Sequence, residues 1–290
     1  MKKQMVTFAL AAVLACSLCA CGGSDGKDAK KEETKQETAA KDEAKQEVKY
    51  VATKQEITYE GGTNDGITVT YDYTYNDKGV QMSMKQSAVD KDGKALSEGY
   101  GNSDYELKEE KGAYKMYPAG SKEATATYTY DEEGRRSTVE STDSNGNPTT
   151  TKYEYQDNGK LDKVVTKDKD GNEVKVLTYD NADEYETNFL CKTEYDGQVE
   201  REYKKKYDAE NGVVTYILTK GQQDYYAYQV VFILHGDKGV DTVEQYDKDG
   251  NILSKSTSKW DEKIGHIVES YMENNKGMKS TTVTTWEELK

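Results

Sequence analysis

Proline occurs twice in 290 residues, phenylalanine three times, histidine twice and cysteine four times. Each scarcity excludes something. Pro118 and Pro148 are the two prolines, so long stretches run without a residue that removes a sheet donor. Three cysteines fall at Cys16, Cys19 and Cys21, which leaves Cys191 alone and rules out a disulfide framework in the rest of the chain. Structural zinc sites need several Cys or His ligands, and only His235 and His266 supplement that thiol, so no metal and no cofactor is expected. Leu, Ile, Val and Phe together make up about 15% of the chain, a level at which a packed core is in question. Basic residues are also short, 40 against 54 acidic, for a net charge of −14. That balance excludes nucleic acid as a partner and disfavours a purely electrostatic grip on anionic lipid.

What is abundant is tyrosine, with 24 copies. Its large apolar ring and polar tip suit it to a half-exposed sheet. The expected core is therefore thin and aromatic.

The N-terminus carries its own signal. Lys2 and Lys3 precede an apolar stretch from Met5 to Ala15, of signal-peptide length and too short for the roughly 20 residues that span a bilayer. It ends in Leu18-Cys19-Ala20-Cys21-Gly22-Gly23-Ser24. This resembles the lipobox of bacterial lipoproteins, with Cys19 a mild departure at the second position before the acceptor. The resemblance implies that residues 1–20 are cleaved, that Cys21 is lipidated, and that the protein is extracytoplasmic and held to the bacterial cell membrane by that lipid. Cys16 is a rival acceptor, but its use would shorten the apolar run too far. Residues 21–49 are rich in Lys, Glu, Gln and Ala and contain no aromatic residue, a composition that cannot bury a core. They read as a solvated tether. Extended, about 25 residues reach roughly 80 Å.

From Tyr50 to the C-terminus the texture is that of strands. Ile67, Val69, Tyr71, Tyr73 and Tyr75 alternate with Thr68, Thr70, Asp72 and Thr74, the period-two signal of a strand. Turn signals then repeat. Tyr128 and Tyr153, Tyr130 and Tyr155, Gly134 and Gly159, and Gly146 and Gly171 are each 25 residues apart. Looser copies run through Tyr73–Lys94 and Tyr246–Asn251. One such unit is a hairpin plus its connection, with Asp or Asn opening the turn and Gly taking the left-handed position. Tyr225 to Leu234 is the most apolar stretch beyond the signal peptide and predicts a strand covered on both faces. A short helix over 181–189 is the one helical expectation.

The segments Tyr128–Arg135 and Tyr153–Leu161 are similar to the YD repeats of RHS-type bacterial surface proteins, with the likeness good over 128–172. That resemblance implies β-hairpins joined into a large curved sheet. The chain has too few copies to close the cargo shell of that family, so the architecture carries over and toxin delivery does not. The expected fold is all-β: an antiparallel meander of hairpin repeats forming one long twisted sheet, partly covered near residues 225–234.

Chemistry is harder to read. The Asp-x-Asp-Gly turns at Asp90, Asp168 and Asp247 suggest calcium, but the EF-loop positions fail: with Gly171 sixth, Leu177 would be twelfth. Hairpin turns explain them better. No nucleophile elbow, phosphate loop or zinc-protease motif is present, and no catalytic residue is assigned. Tyr71, Tyr73, Tyr75, Tyr128, Tyr130, Tyr153 and Tyr155 are the candidate ligand-binding face, able to stack on sugar rings; the plainer reading makes them the core face. Trp260 and Trp286 read as packing anchors and Cys191 as a small buried hydrophobe. The leading expectation is a surface-exposed, lipid-anchored binding or structural protein that is not an enzyme, with a glycan or protein partner. The competing one is a cell-wall-active hydrolase with paired carboxylates. A solute-binding lipoprotein is disfavoured by the lack of βαβ alternation.

The lipobox reading makes a direct prediction. Cys21→Ala should abolish incorporation of a labelled fatty acid and release the chain from membranes as an unlipidated precursor; undiminished labelling would refute it.

Overall fold

The computed structural model describes residues 49–97, 104–180, 189–222, 226–236 and 239–289. Cys21, the tether and the helix expected over 181–189, apart from Phe189 itself, lie outside them. Among the described residues there are eighteen strands and one short 3-10 turn at Gly62–Asn64.

The strands follow one another around a ring. The first arc holds β1 (Tyr50–Glu60), β2 (Thr68–Tyr75), β3 (Gln81–Val89), β4 (Tyr105–Glu110), β5 (Ala113–Pro118) and β6 (Ala126–Tyr130). The repeat region supplies β7 (Arg136–Thr142), β8 (Pro148–Tyr155), β9 (Leu161–Asp168) and β10 (Glu173–Asp180). Next come β11 (Phe189–Tyr195), β12 (Gln198–Asp208), β13 (Val213–Lys220) and β14 (Gln229–Leu234). The last arc is β15 (Val240–Tyr246), β16 (Ile252–Asp261), β17 (His266–Asn274) and β18 (Lys279–Glu288). Every strand pairs antiparallel with its neighbours in sequence. β1 also pairs with β18, from Tyr50↔Glu288 to Glu60↔Lys279.

That last pairing corrects the expected fold. All-β and antiparallel are right, but the sheet is not an open twisted ribbon of repeats: it closes into an eighteen-stranded barrel. Closure pairs the two edges that an open sheet would leave with unsatisfied backbone groups. The idea that 225–234 is covered on both faces is also corrected. β14 alternates, with Val230, Phe232 and Leu234 buried but Ile233 37% exposed. One wall of the barrel covers its inner side and solvent meets the other.

The hairpin turns explain the repeat. In Asp168–Asn172 the Asp168 N–H donates to the Asn172 carbonyl and the Gly171 N–H to the Asp168 carbonyl. Asp168 Oδ1 accepts from the N–H groups of Asp170 and Asn172, and Asn172 Nδ2 donates to Oδ2. Asp143–Asn147 and Asp247–Asn251 repeat this arrangement bond for bond. Gly134, Gly159 and Gly171 have φ of 77°, 82° and 86°, the left-handed residue of a three-residue hairpin loop. The Asp168 carboxylate, held by these bonds, sits below the ordinary carboxylate range, its Asn172 side-chain bond being the chief cause. Asp-Gly and Lys-Gly make the two tightest connections: Asp196-Gly197 and Lys111-Gly112 have positive φ at both residues.

The register separates inside from outside. Phe189 on β11 stacks on Tyr216 of β13 at 4.1 Å between ring centroids and meets Phe232 of β14 at 5.6 Å. In a flat sheet β11 and β14 would be about 14 Å apart, so the sheet curls toward this face, which is the inner one. It also carries Val69, Leu107, Tyr114, Tyr203, Val214 and Ile57; Val214 and Tyr216 are fully buried and Ile57 is 2% exposed. Barrels of this strand number can enclose an aqueous channel, but here these side chains fill part of the interior. The outer face carries Thr and paired charges: Thr58 on Thr68, Thr129 on Thr138, Lys152–Glu154, Lys192–Glu194 and Lys255–Glu244. A lipid-spanning barrel presents an apolar band there; this outer face presents groups that water solvates. No helix among the described residues is long and apolar enough to cross a membrane.

The turn geometry can be tested at a glycine with open space around it. A Cβ on Gly171 would meet nothing within 4 Å, so any cost is conformational, on the order of 1–2 kcal/mol for a side chain at φ > 0. Gly171→Val should lower the denaturant midpoint clearly, whereas Gly171→Asn should lower it far less because Asn accepts that conformation. Equal effects would refute the turn assignment.

Candidate functional site

All seven tyrosines singled out from the sequence lie on the inner face. They form two groups. On β2, Tyr71 and Tyr73 stack at 6.4 Å with an interplanar angle of 6°. The Tyr71 hydroxyl accepts from Gln86 Nε2 at 3.1 Å, and the Tyr75 hydroxyl donates to the Ala52 carbonyl at 2.9 Å. The second group spans β6 and β8. Tyr128 pairs with Val139 across the β6–β7 ladder, and Tyr153 with Val164 across β8–β9. Tyr130 meets Tyr114 edge-on at 5.2 Å, and the Tyr155 hydroxyl donates to the Arg136 carbonyl at 2.8 Å.

Arg136 joins the second group together. A register shift where Tyr130 pairs with Arg136 turns its side chain onto the inner face. Its guanidinium lies 5.1 Å from the Tyr128 ring centroid and 5.5 Å from that of Tyr153. Nη1 donates to the Tyr153 hydroxyl at 3.4 Å. Water still reaches Arg136, which is exposed although the tyrosines crowd it. The phenols around it are held neutral: burial pushes the hydroxyls of Tyr105 and Tyr155 up to about 12 and raises those of Tyr128 and Tyr130. At neutral pH they are therefore hydrogen-bond donors and acceptors, not anions.

A similar arrangement recurs on β12. Arg201 lies 5.9 Å from the Tyr203 ring and 4.8 Å from that of Tyr226, and its Nη2 donates to Thr193 Oγ1 at 3.2 Å. Its Nε is buried with no partner. Tyr179 on β10 stands between the two arginines. Its hydroxyl is raised by burial and by Tyr153, and is eased by the positive charge of Arg201. The inner face from β6 to β12 is thus a belt of tyrosines with two arginines set into it.

Sequence reading missed both arginines, along with Tyr105, Tyr179 and Tyr226. A signal was present: the chain has three arginines against 37 lysines, and two of the three turn inward. It also missed that each tryptophan pairs with a histidine. Trp260 stacks on His235 at 5.1 Å, and Trp286 on His266 at 4.2 Å. His235 bridges Asp241 and Glu262, at 2.8 and 2.9 Å; burial lowers the pKa of His266. Trp286 Nε1 donates to the Ile267 carbonyl at 2.8 Å, tying β18 to β17. Cys191 is half-buried, its thiol donates to the Thr178 carbonyl at 3.3 Å, and burial pushes it up to about 11, so it stays protonated at neutral pH and is a poor nucleophile.

No protein-family model matches this chain, and no curated protein does. Among solved structures it is similar to a porin-like protein from Bacteroides uniformis, at 14% identity and a TM-score of 0.48 over 81% of this chain and 98% of that one. It is also similar to a domain assigned to outer membrane lipoprotein sorting from Vibrio parahaemolyticus, at 12% identity and a TM-score of 0.29 over 82% and 84% of the two chains. A DUF1329 family protein from Desulfovibrio piger aligns at 11% identity and a TM-score of 0.27 over 82% of each chain.

Proposed function

We propose that this chain is an extracytoplasmic binding protein, tethered through lipidated Cys21, whose inner tyrosine face between β6 and β12 holds a saccharide. The observation that carries this is the belt itself: neutral phenols on the wall of a closed barrel, several of them in reach of solvent. Phenol rings stack on the apolar faces of sugars, and their hydroxyls exchange hydrogen bonds with sugar hydroxyls. Among the described residues the outer face offers no comparable surface, since its exposed large apolar residues, such as Ile233, Ile252 and Val283, are scattered among Thr, Lys and Glu. The charged tether would carry the barrel clear of the membrane, and the acidic surface keeps it soluble there. The reading is of a binding protein rather than an enzyme. What supports it is that the belt presents phenols and guanidinium groups, which position a ligand.

Tyr153 is the test position, because it faces Arg136 and anchors the centre of the belt. Titration of the protein with a mixed panel of oligosaccharides, followed by tyrosine fluorescence, should find a binder. Tyr153→Ala should weaken it by about fivefold to tenfold, the equivalent of the roughly 1 kcal/mol that an aromatic contact contributes. Tyr271→Ala, on the outer face of β17, should change nothing. If both substitutions act alike, the inner face is not the binding surface.

A further inference from the structure

We infer that the ligand of the inner face is an acidic saccharide, whose carboxylate or phosphate groups are gripped by Arg136 and Arg201. This rests on the saccharide reading above and narrows it.

The argument starts from what these cations lack. The protein has an excess of carboxylates, 54 against 40 basic residues. Its other arginine, Arg135, has taken two of them: it bonds Asp131 at 2.7 Å and Glu133 at 3.3 Å. Inner-face Lys205 likewise pairs with Asp180 at 3.2 Å. Among the described residues Arg136 and Arg201 make no ion pair; like Arg135, which lies over Tyr155, each rests against tyrosine rings, but without a carboxylate beside it. A guanidinium drawn into a partly dry face without an anion loses hydration it does not recover. The unpartnered, buried Nε of Arg201 is the visible part of that deficit. In a chain this acidic a carboxylate opposite either arginine would be easy to supply, and supplying one would block the guanidinium. Leaving both open makes sense for a protein that takes its counter-ion from the ligand.

The residue type points to the ligand's chemistry. Lysine serves the outer surface in quantity, and a lysine would answer an unspecific need for charge. The planar fork of arginine fits carboxylate and phosphate oxygens two at a time. The rings of Tyr128 and Tyr153, and of Tyr203 and Tyr226, flank the two guanidinium groups, whose bonds to neutral hydroxyls leave their charge without a counter-ion among the described residues. Measured along the sheet, β7 and β12 are roughly 24 Å apart, with Tyr179 between them. A ligand that meets both arginines is therefore an oligomer bearing acidic groups at intervals, with its sugar rings against the intervening phenols. The barrel's overall charge would repel such a ligand at long range, so recognition depends on these two local cations.

The experiment measures binding to the full chain by calorimetry with three probes: a galacturonic acid hexamer, a phosphorylated mannose oligomer, and neutral maltohexaose. The expected result is that at least one acidic probe binds about tenfold or more tighter than maltohexaose. Arg136→Gln and Arg201→Gln should each weaken the acidic probe several-fold more than maltohexaose and so remove most of that advantage. Arg136→Lys, which keeps the charge and loses the fork, should recover only part of it, and the far-ultraviolet circular dichroism of all variants should match the parent. Equal affinity for all three probes, indifferent to the Gln variants, would overturn the acidic preference and leave the saccharide reading standing. Binding of none of them would remove the saccharide reading and this inference together.

Discussion

The pairing of β1 with β18 is the interaction on which the rest depends. Every other ladder joins strands that are neighbours in sequence and would exist equally in an open ribbon. Only this one, running from Tyr50↔Glu288 to Glu60↔Lys279, decides that the sheet has an interior. Because side chains alternate across a strand, and paired residues share a face, the choice made at the closing seam is transmitted around all eighteen strands. Ile57 pairs with Thr282 on one side and Val69 on the other, and the same face continues through Ala88, Tyr128 and Val164 to Tyr216. An error of one residue at the seam would place Thr and Lys inside and tyrosine outside.

Closure also explains why tyrosine replaced phenylalanine. An eighteen-stranded ring has more inner wall than its sparse aliphatic side chains can fill, so much of that wall is neither dry nor wet. Tyrosine tolerates both conditions, with the ring against its neighbours and the hydroxyl on a carbonyl, as with Tyr203 on Ala227 at 2.9 Å. Phe189 and Phe232 are the two phenylalanines beyond the signal-like segment, and they touch each other in the densest cluster, beside Tyr216 and Val214.

The local grammar of the fold was legible in the sequence. The 25-residue offset corresponds to two strands and two turns, and Gly134, Gly159 and Gly171 have the backbone that their spacing requires. The alternation of Tyr71, Tyr73 and Tyr75 with Thr and Asp marks which side is inner. Closure was not legible, because β1 and β18 lie at opposite ends of the chain and nothing in either names the other. The number of strands was hidden as well: Lys111-Gly112 and Asp196-Gly197 turn the chain in two residues and resemble no part of the longer repeat. The apolar run before Leu234 misled because a strand beside a crowded inner cluster can expose Ile233 without needing a second layer. At the candidate site, the tyrosines were visible as a pattern. The arginines were not, since Arg136 turns inward only through the register shift where it meets Tyr130, a detail of ladder geometry rather than of composition.

The seam that closes the barrel is also where the chain enters it. The Leu289 N–H donates to the Lys49 carbonyl at 2.8 Å, so the start of β1 is clamped by the segment that follows β18. β1 has ladder bonds on both flanks, to β18 and to β2. A pull on the chain at Lys49, with the barrel held by whatever it has bound, runs along β1 and strains both ladders in parallel. Bonds loaded lengthwise in this way share the force and must rupture together, unlike a terminal strand peeled from an open edge one bond at a time. Were the chain anchored at Cys21 and bound to a ligand as proposed, the tension between the two would load both of these ladders lengthwise.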